Sequence, residues 1–166
     1  QLRLPTERYY EEEGRAELTP RDFGILMHRV FENAATTDEI YMAIEAMTQD
    51  GVLDEKEAPR LRELVEKALA DPVTAEWFGG RWQVVRNENE IILPGSGTTR
   101  RPDRVMTDGE RAVVVDYKFG DRETARHRKQ IREYLRLLRQ MGYTRTEGYL
   151  WYVRLGRTER VEEKED

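Results

Sequence analysis

Two aspartates and a lysine set the chemical possibilities of this chain: Asp103, then Asp116 thirteen residues further on, then Lys118. The charges of Asp116-Tyr117-Lys118 close the apolar run Val113-Val114-Val115. Side chains along a strand alternate between faces, so Asp116 and Lys118 point the same way. An Asp108-Gly109 pair between two strand-like runs predicts a hairpin. If Thr107 stands opposite Glu110, Asp103 faces Val114 and Arg101 faces Asp116. Asp103 then sits diagonally beside Asp116, roughly 7–8 Å away between Cα atoms. Two carboxylates on one face raise each other's pKa unless a cation compensates. A divalent ion would do so, and would also polarise a phosphate oxygen and acidify a bound water. The lysine would position that water or stabilise charge on a phosphoryl group. The same residues read equally as a surface hairpin ending in a solvated Asp116–Lys118 ion pair.

Composition limits which chemistry is open to these groups. A chain of 166 residues makes one domain with room for a core. Fifteen aromatics and periodic apolar segments mark it as folded despite a charged fraction of 37%. Cysteine is absent. That excludes disulfides, cysteine–zinc sites, iron–sulfur clusters and a thiol nucleophile, and fits a reducing compartment. Any metal would rest on Asp, Glu, His and carbonyl oxygens, which suit Mg²⁺ or Mn²⁺. No apolar run reaches the length of a membrane span and no signal-peptide pattern opens the chain, so a cytoplasmic location and no membrane partner are expected. Gln1 in place of Met reads as a piece excised from a longer polypeptide. The net charge of −5 is uneven: residues 1–80 hold 9 Lys/Arg against 18 Asp/Glu, and residues 81–166 hold 19 against 15. An acidic body with a basic working surface is compatible with a nucleic-acid partner.

The elements that must position these groups follow from periodicity. Residues 1–20 read as an irregular charged leader and 21–166 as a single domain. Thr19-Pro20 opens a helix carrying Phe23, Leu26, Met27, Val30 and Phe31 at helical spacing. Further helices are expected from Thr37-Asp38 to Gly51, from about Asp54 to Ala70, and briefly after Pro72. Strands are expected over 82–86, 90–93, 101–107, 110–119, 148–155 and 157–161, with a long helix over 122–141. Helices, strands, a helix and closing strands describe a mixed α/β domain.

Arg101-Pro102-Asp103 followed by Asp116-Tyr117-Lys118 resembles the PD-(D/E)XK nuclease signature, and the Asp-Tyr-Lys wording resembles its RecB-like branch. That branch also carries a histidine on an upstream helix and a Gln-x-x-x-Tyr after the lysine. His28 and the Gln130-to-Tyr134 segment stand in those places. The resemblance runs from about Phe23 to Val153 and implies a restriction-endonuclease-like fold, a central mixed sheet flanked by helices with an N-terminal helical portion. It implies metal-dependent hydrolysis of DNA phosphodiesters with Mg²⁺, or Mn²⁺ in its place, by an exonuclease rather than an endonuclease. Asp103 and Asp116 would bind the ion, Tyr117 would add its backbone carbonyl, Lys118 would be the catalytic lysine and His28 a further ligand. Gln130 and Tyr134 would border the site. The family's additional glutamate falls on Glu88 or Glu90, with Glu88 preferred. In this branch the domain commonly follows a UvrD- or AddA-type helicase in one chain that acts in DNA end processing and repair, so a helicase module and a second subunit are the expected partners. A non-catalytic docking module of a helicase, or an unrelated enzyme acting on a small substrate, are the alternative readings.

The remaining residues are weighed by position. His28 lies about 120° around its helix from the apolar centre, with Gly24 one turn before it. A helical glycine costs roughly 1 kcal/mol and marks close packing or a ligand. Lys129, Arg132 and Arg136 form a stripe, with Arg139 beyond them, that is either solvated or tracks a phosphate backbone. His127, Trp77, Trp82 and Trp151 read as structural.

Overall fold

The computed structural model describes residues 20–88, 101–120 and 125–164. Residues 1–19 of the proposed leader and the expected strand over 90–93, with Glu90, lie outside these residues, whereas Pro20 opens a helix. Along the chain come α1 (Pro20–Phe31), α2 (Thr37–Gln49), α3 (Glu57–Ala68), α4 (Pro72–Trp77), β1 (Val84–Asn87), β2 (Arg104–Asp108), β3 (Arg111–Lys118), α5 (Ala125–Gln140), β4 (Arg145–Tyr152) and β5 (Arg157–Val161). The expected mixed α/β fold is what forms, consistent with a restriction-endonuclease-like domain. No helix among the described residues is long and apolar enough to cross a membrane.

Local chemistry sets the helix starts. The Thr36 side chain accepts from the Glu39 N–H, and Asp71 accepts from the Val73 N–H ahead of Pro72. Asp54 accepts from the N–H groups of Lys56 and Glu57, at 2.8 and 2.7 Å. Asp54 therefore lies ahead of α3 and its carboxylate accepts from the N–H groups at the helix start, where the sequence reading took Asp54 as already helical.

The five strands form one sheet in the order β1-β2-β3-β4-β5. β3 and β4 run parallel across α5, and the other neighbours are antiparallel. Alternation along β3 sorts its run of valines. Val113, Val115 and Tyr117 pack with α1 to α4 against Met106, Trp151 and Phe31, while Ala112 and Val114 pack against Ile131, Tyr134, Leu135 and Leu138 of α5. A strand covered on both faces reads as continuous apolar sequence. Trp77 and Trp151 are buried as expected. Trp82 is half-buried, and the Arg111 guanidinium lies 4.8 Å from its ring centre.

The hairpin register differs from the sequence expectation. Arg104 pairs with Val115 and Asp108 with Arg111, which leaves Gly109-Glu110 as a two-residue loop. Gly109 takes φ +58, a left-handed conformation that favours glycine. The pairing slides by two positions, so Asp103 stands opposite Asp116 itself and not diagonal to it, and Arg101 no longer faces Asp116. A slide of two keeps every side chain on its expected face.

α5 reaches the sheet closely because Gly148 has no side chain. A Cβ built there would lie 2.4 Å from Ile131 Cγ2 and 3.1 Å from Leu135 Cδ1. Gly148→Ala is expected to destabilise the fold by about 1–3 kcal/mol through overpacking, seen as a lower urea midpoint. An unchanged midpoint would show that α5 yields freely.

Candidate metal centre

The end of the sheet where β1 and β3 finish and β2 begins gathers three carboxylates. Asn87 is the last β1 residue paired with β2, opposite Arg104, so the next step of that register sets Glu88 against Asp103. The β2–β3 register sets Asp103 against Asp116. Glu88 just past β1, Asp103 just ahead of β2 and Asp116 near the end of β3 thus gather at one end of the sheet.

Two reciprocal hydrogen bonds hold the inner pair. The Asp103 N–H donates to Asp116 Oδ1 at 3.0 Å, and the Tyr117 N–H donates to Asp103 Oδ2 at 2.7 Å. Asp103 keeps its other oxygen, Oδ1, 3.7 Å from Nδ1 of His28. Extending the register once more brings Pro102 opposite Tyr117. A residue there would ordinarily donate its N–H to the Tyr117 carbonyl, and proline has none to give.

α1 delivers His28 from the helical face. Gly24 permits the approach, since a Cβ there would lie 3.3 Å from Cβ of Phe119. The Phe119 ring in turn meets the His28 ring edge-on, with centroids 4.9 Å apart. Close packing, and not space for a ligand, accounts for this glycine. Donor atoms of His28, Glu88 and Asp103 all lie within 4.8 Å of one another. Asp116 adjoins this group through Asp103.

The electrostatics favour a cation. Burial, and then the neighbouring Asp116 carboxylate, hold the Asp103 carboxyl well above its ordinary range, and the Tyr117 N–H and Lys118 only partly offset this. Glu88 adds to the upward push. Burial lowers the pKa of His28, which keeps its imidazole neutral and able to donate a lone pair. Carboxylate oxygens, an imidazole and a carbonyl suit a hard divalent ion, so the residues present fit one.

The other residues singled out in the sequence are placed as follows. Lys118 is half-buried at the end of β3 and acts electrostatically on both Asp103 and His28. The Tyr117 side chain points away, into the helical core. Tyr134 is buried under α5, and Gln130 is half-buried with Oε1 sealed from solvent and accepting no hydrogen bond among the described residues. Arg128 pairs with Glu159, and Arg139 with Glu163, both on the β5 side of α5. Gln130 and Tyr134 lie across the helix from these pairs, at about 100° per residue. Lys129 and Arg136 are exposed on the outer side, and Arg132 is half-buried. His127 is half-buried with Nδ1 enclosed, in keeping with a structural part.

Sequence reasoning missed Arg104. Its side chain is fully buried on the helical face, next to Asp103 in the chain but on the opposite face. It donates to the carbonyls of Ala34 (2.5 Å), Ala35 (2.8 Å) and Trp77 (2.7 Å), and its guanidinium lies 3.9 Å from the Phe78 ring centre. It thereby joins the start of β2 to the segment after α1 and the end of α4. The signal was available: a charge between Asp103 and Val105, on the face that the alternation assigns to the core.

The mixed sheet thus carries at one end a cluster of carboxylates and an imidazole that could hold a divalent ion. The sequence matches the family described as "PD-(D/E)XK nuclease superfamily" over residues 1–166, and the chain belongs to that superfamily. No curated protein matches it.

Arg104→Met is expected to cost roughly 3 kcal/mol or more, because three carbonyls lose their donor inside the core. Urea denaturation measures it. A loss below about 1 kcal/mol, the net worth of one ordinary hydrogen bond, would refute the bridging role.

Proposed function

We propose that this chain is a DNA nuclease that hydrolyses phosphodiester bonds with Mg²⁺, or Mn²⁺ in its place. The observation that carries the reading is the cluster of Glu88, Asp103 and His28 donor atoms within 4.8 Å of one another, with Asp116 hydrogen-bonded to Asp103 and Lys118 at the same end of the sheet. Asp103 Oδ1, Glu88 and the imidazole of His28 would hold the ion, with Asp116 and the Tyr117 carbonyl completing its shell. When bound, such an ion polarises a phosphate oxygen and lowers the pKa of a water molecule.

The chain's own groups would do the rest. The two reciprocal hydrogen bonds fix the carboxylates before the ion arrives, so little reorganisation remains at the moment of reaction. Lys118, on the same face as Asp116, would orient the attacking water or stabilise charge on the phosphoryl oxygens. Gln130 and Tyr134 would border the substrate. Lys129 and Arg136 would add phosphate contacts on the outer side of α5, with the half-buried Arg132 between them in the chain.

The ordered set of His28, Asp103, Asp116-Tyr117-Lys118 and Gln130-to-Tyr134 supports placement in the RecB-like branch. On that reading the domain serves as the nuclease module of a helicase–nuclease in DNA end processing, acting as an exonuclease beside a helicase module and a second subunit.

Asp116→Asn preserves an oxygen for the Asp103 N–H and should fold normally, while cleavage of linear DNA falls by roughly 100-fold or more. Lys118→Ala should behave likewise. Calorimetric titration with Mn²⁺ should show a site in the wild-type protein that Asp103→Asn weakens by at least ~10-fold. Wild-type cleavage in either of the first two variants would refute the assignment. A protein with no Mg²⁺ or Mn²⁺ site would instead be a docking module.

A further inference from the structure

His28 reaches the carboxylates from α1 on a side chain that is 44% exposed. An imidazole this open keeps rotamer freedom, and a ligand must give that freedom up to hold an ion. Ligating histidines are ordinarily fixed by a hydrogen bond from the ring nitrogen that the metal does not take. Among the described residues neither ring nitrogen of His28 makes such a bond. Asp103 Oδ1 stands 3.7 Å from Nδ1, too far for one.

Two rings from the end of β3 meet the imidazole instead. The Tyr117 centroid lies 6.0 Å from that of His28, and the Phe119 centroid lies 4.9 Å away in an edge-on contact. Phe119 is one residue past β3 and continues its alternation, so it faces the helices with Val115 and Tyr117 while Lys118 faces away. The backbone is held there, because the Val153 N–H donates to the Lys118 carbonyl at 3.1 Å. The ring is held as well. It meets Phe23 edge-on at 5.9 Å, and it fills the space beside Gly24, where a Cβ would lie 3.3 Å from Phe119 Cβ and 3.4 Å from Cγ and Cδ2. Tyr117 is buried in the core, whereas Phe119 is only half-buried at its rim. Burial alone therefore asks less of an aromatic ring at 119 than the contact with His28 does.

We propose that Phe119 is a positioning residue of the metal site: seated against Gly24, its ring fixes the imidazole of His28 so that Nδ1 stays turned toward Asp103 Oδ1. The proposal rests on the reading of the cluster as an ion site and adds a residue that touches neither the ion nor the substrate. Edge-on ring pairs at this separation are attractive and directional, so they can set a ring plane where a hydrogen bond does not. One strand end then serves the site from both faces, with Asp116 and Lys118 on one and the support for His28 on the other.

Two measurements on the same variants test it. Phe119→Leu keeps an apolar side chain without a ring, and Gly24→Ala keeps the ring but crowds it out of its seat. Carbon-13 relaxation of the histidine rings in EDTA reads the positioning directly, since the chain has only two histidines. The His28 ring should be as rigid as the backbone in the wild-type protein and mobile in both variants, while the His127 ring stays unchanged. Calorimetric titration with Mn²⁺ should then show binding weakened by about 10-fold in both. Phe119→Tyr, which keeps the ring, should restore both readings. A His28 ring equally rigid in folded Phe119→Leu, or Mn²⁺ binding there at wild-type strength, would overturn the proposal. A wild-type protein with no Mn²⁺ site would sink the ion reading and with it the purpose assigned to Phe119, a result distinct from a site that ignores the ring.

Discussion

Where the β2–β3 ladder runs out, two carboxylates take over its hydrogen bonds. Asp116 receives the Asp103 N–H, and Asp103 receives the Tyr117 N–H, so each aspartate holds the other's strand. The exchange uses one oxygen of each and leaves Oδ1 of Asp103 facing His28. Burying two acids this close raises the pKa of Asp103, a strain that charge compensation by an ion would relieve. The same two carboxylates thus order the strand ends and leave an Asp103 oxygen facing His28.

That arrangement holds only if α1 is fixed relative to β2, because His28 rides on α1 while Asp103 opens β2. Arg104 supplies the tie. Alternation puts Asp103 and Arg104 on opposite faces, so two adjacent residues build the site and anchor the helices that serve it. Arg104 meets carbonyls just past α1 and at the last residue of α4, where backbone oxygens have run out of helical donors. Gly24 and Phe119 complete the fit from the other side of His28. α5 is held against the opposite face by the Gly148 approach and by glutamate pairs at Arg128 and Arg139.

Much of this was legible in the residues. The helices of the N-terminal half, the hairpin around Gly109 and the α5 crossover announce themselves by periodicity and turn chemistry. Their ends shift by a few residues where a cap such as Asp54 replaces a first turn. The faces of Asp103, Asp116 and Lys118 also followed from alternation. Their exact pairing did not, since a two-residue loop at Asp108-Gly109 and one at Gly109-Glu110 give the same parity and only hydrogen bonding in the folded sheet chooses between them.

The local sequence by itself determined which groups share a face and which chemistry they can support, because strand and helix periods are properties of the backbone. Glu88 and Arg104 belong to the tertiary structure. Glu88 reaches Asp103 only through the β1–β2 register, and the long separation between those strands carries no period from which a register can be read. Arg104 finds its partners in carbonyls about 70 residues earlier and 27 residues earlier in the chain, contacts that exist only once the helices have packed.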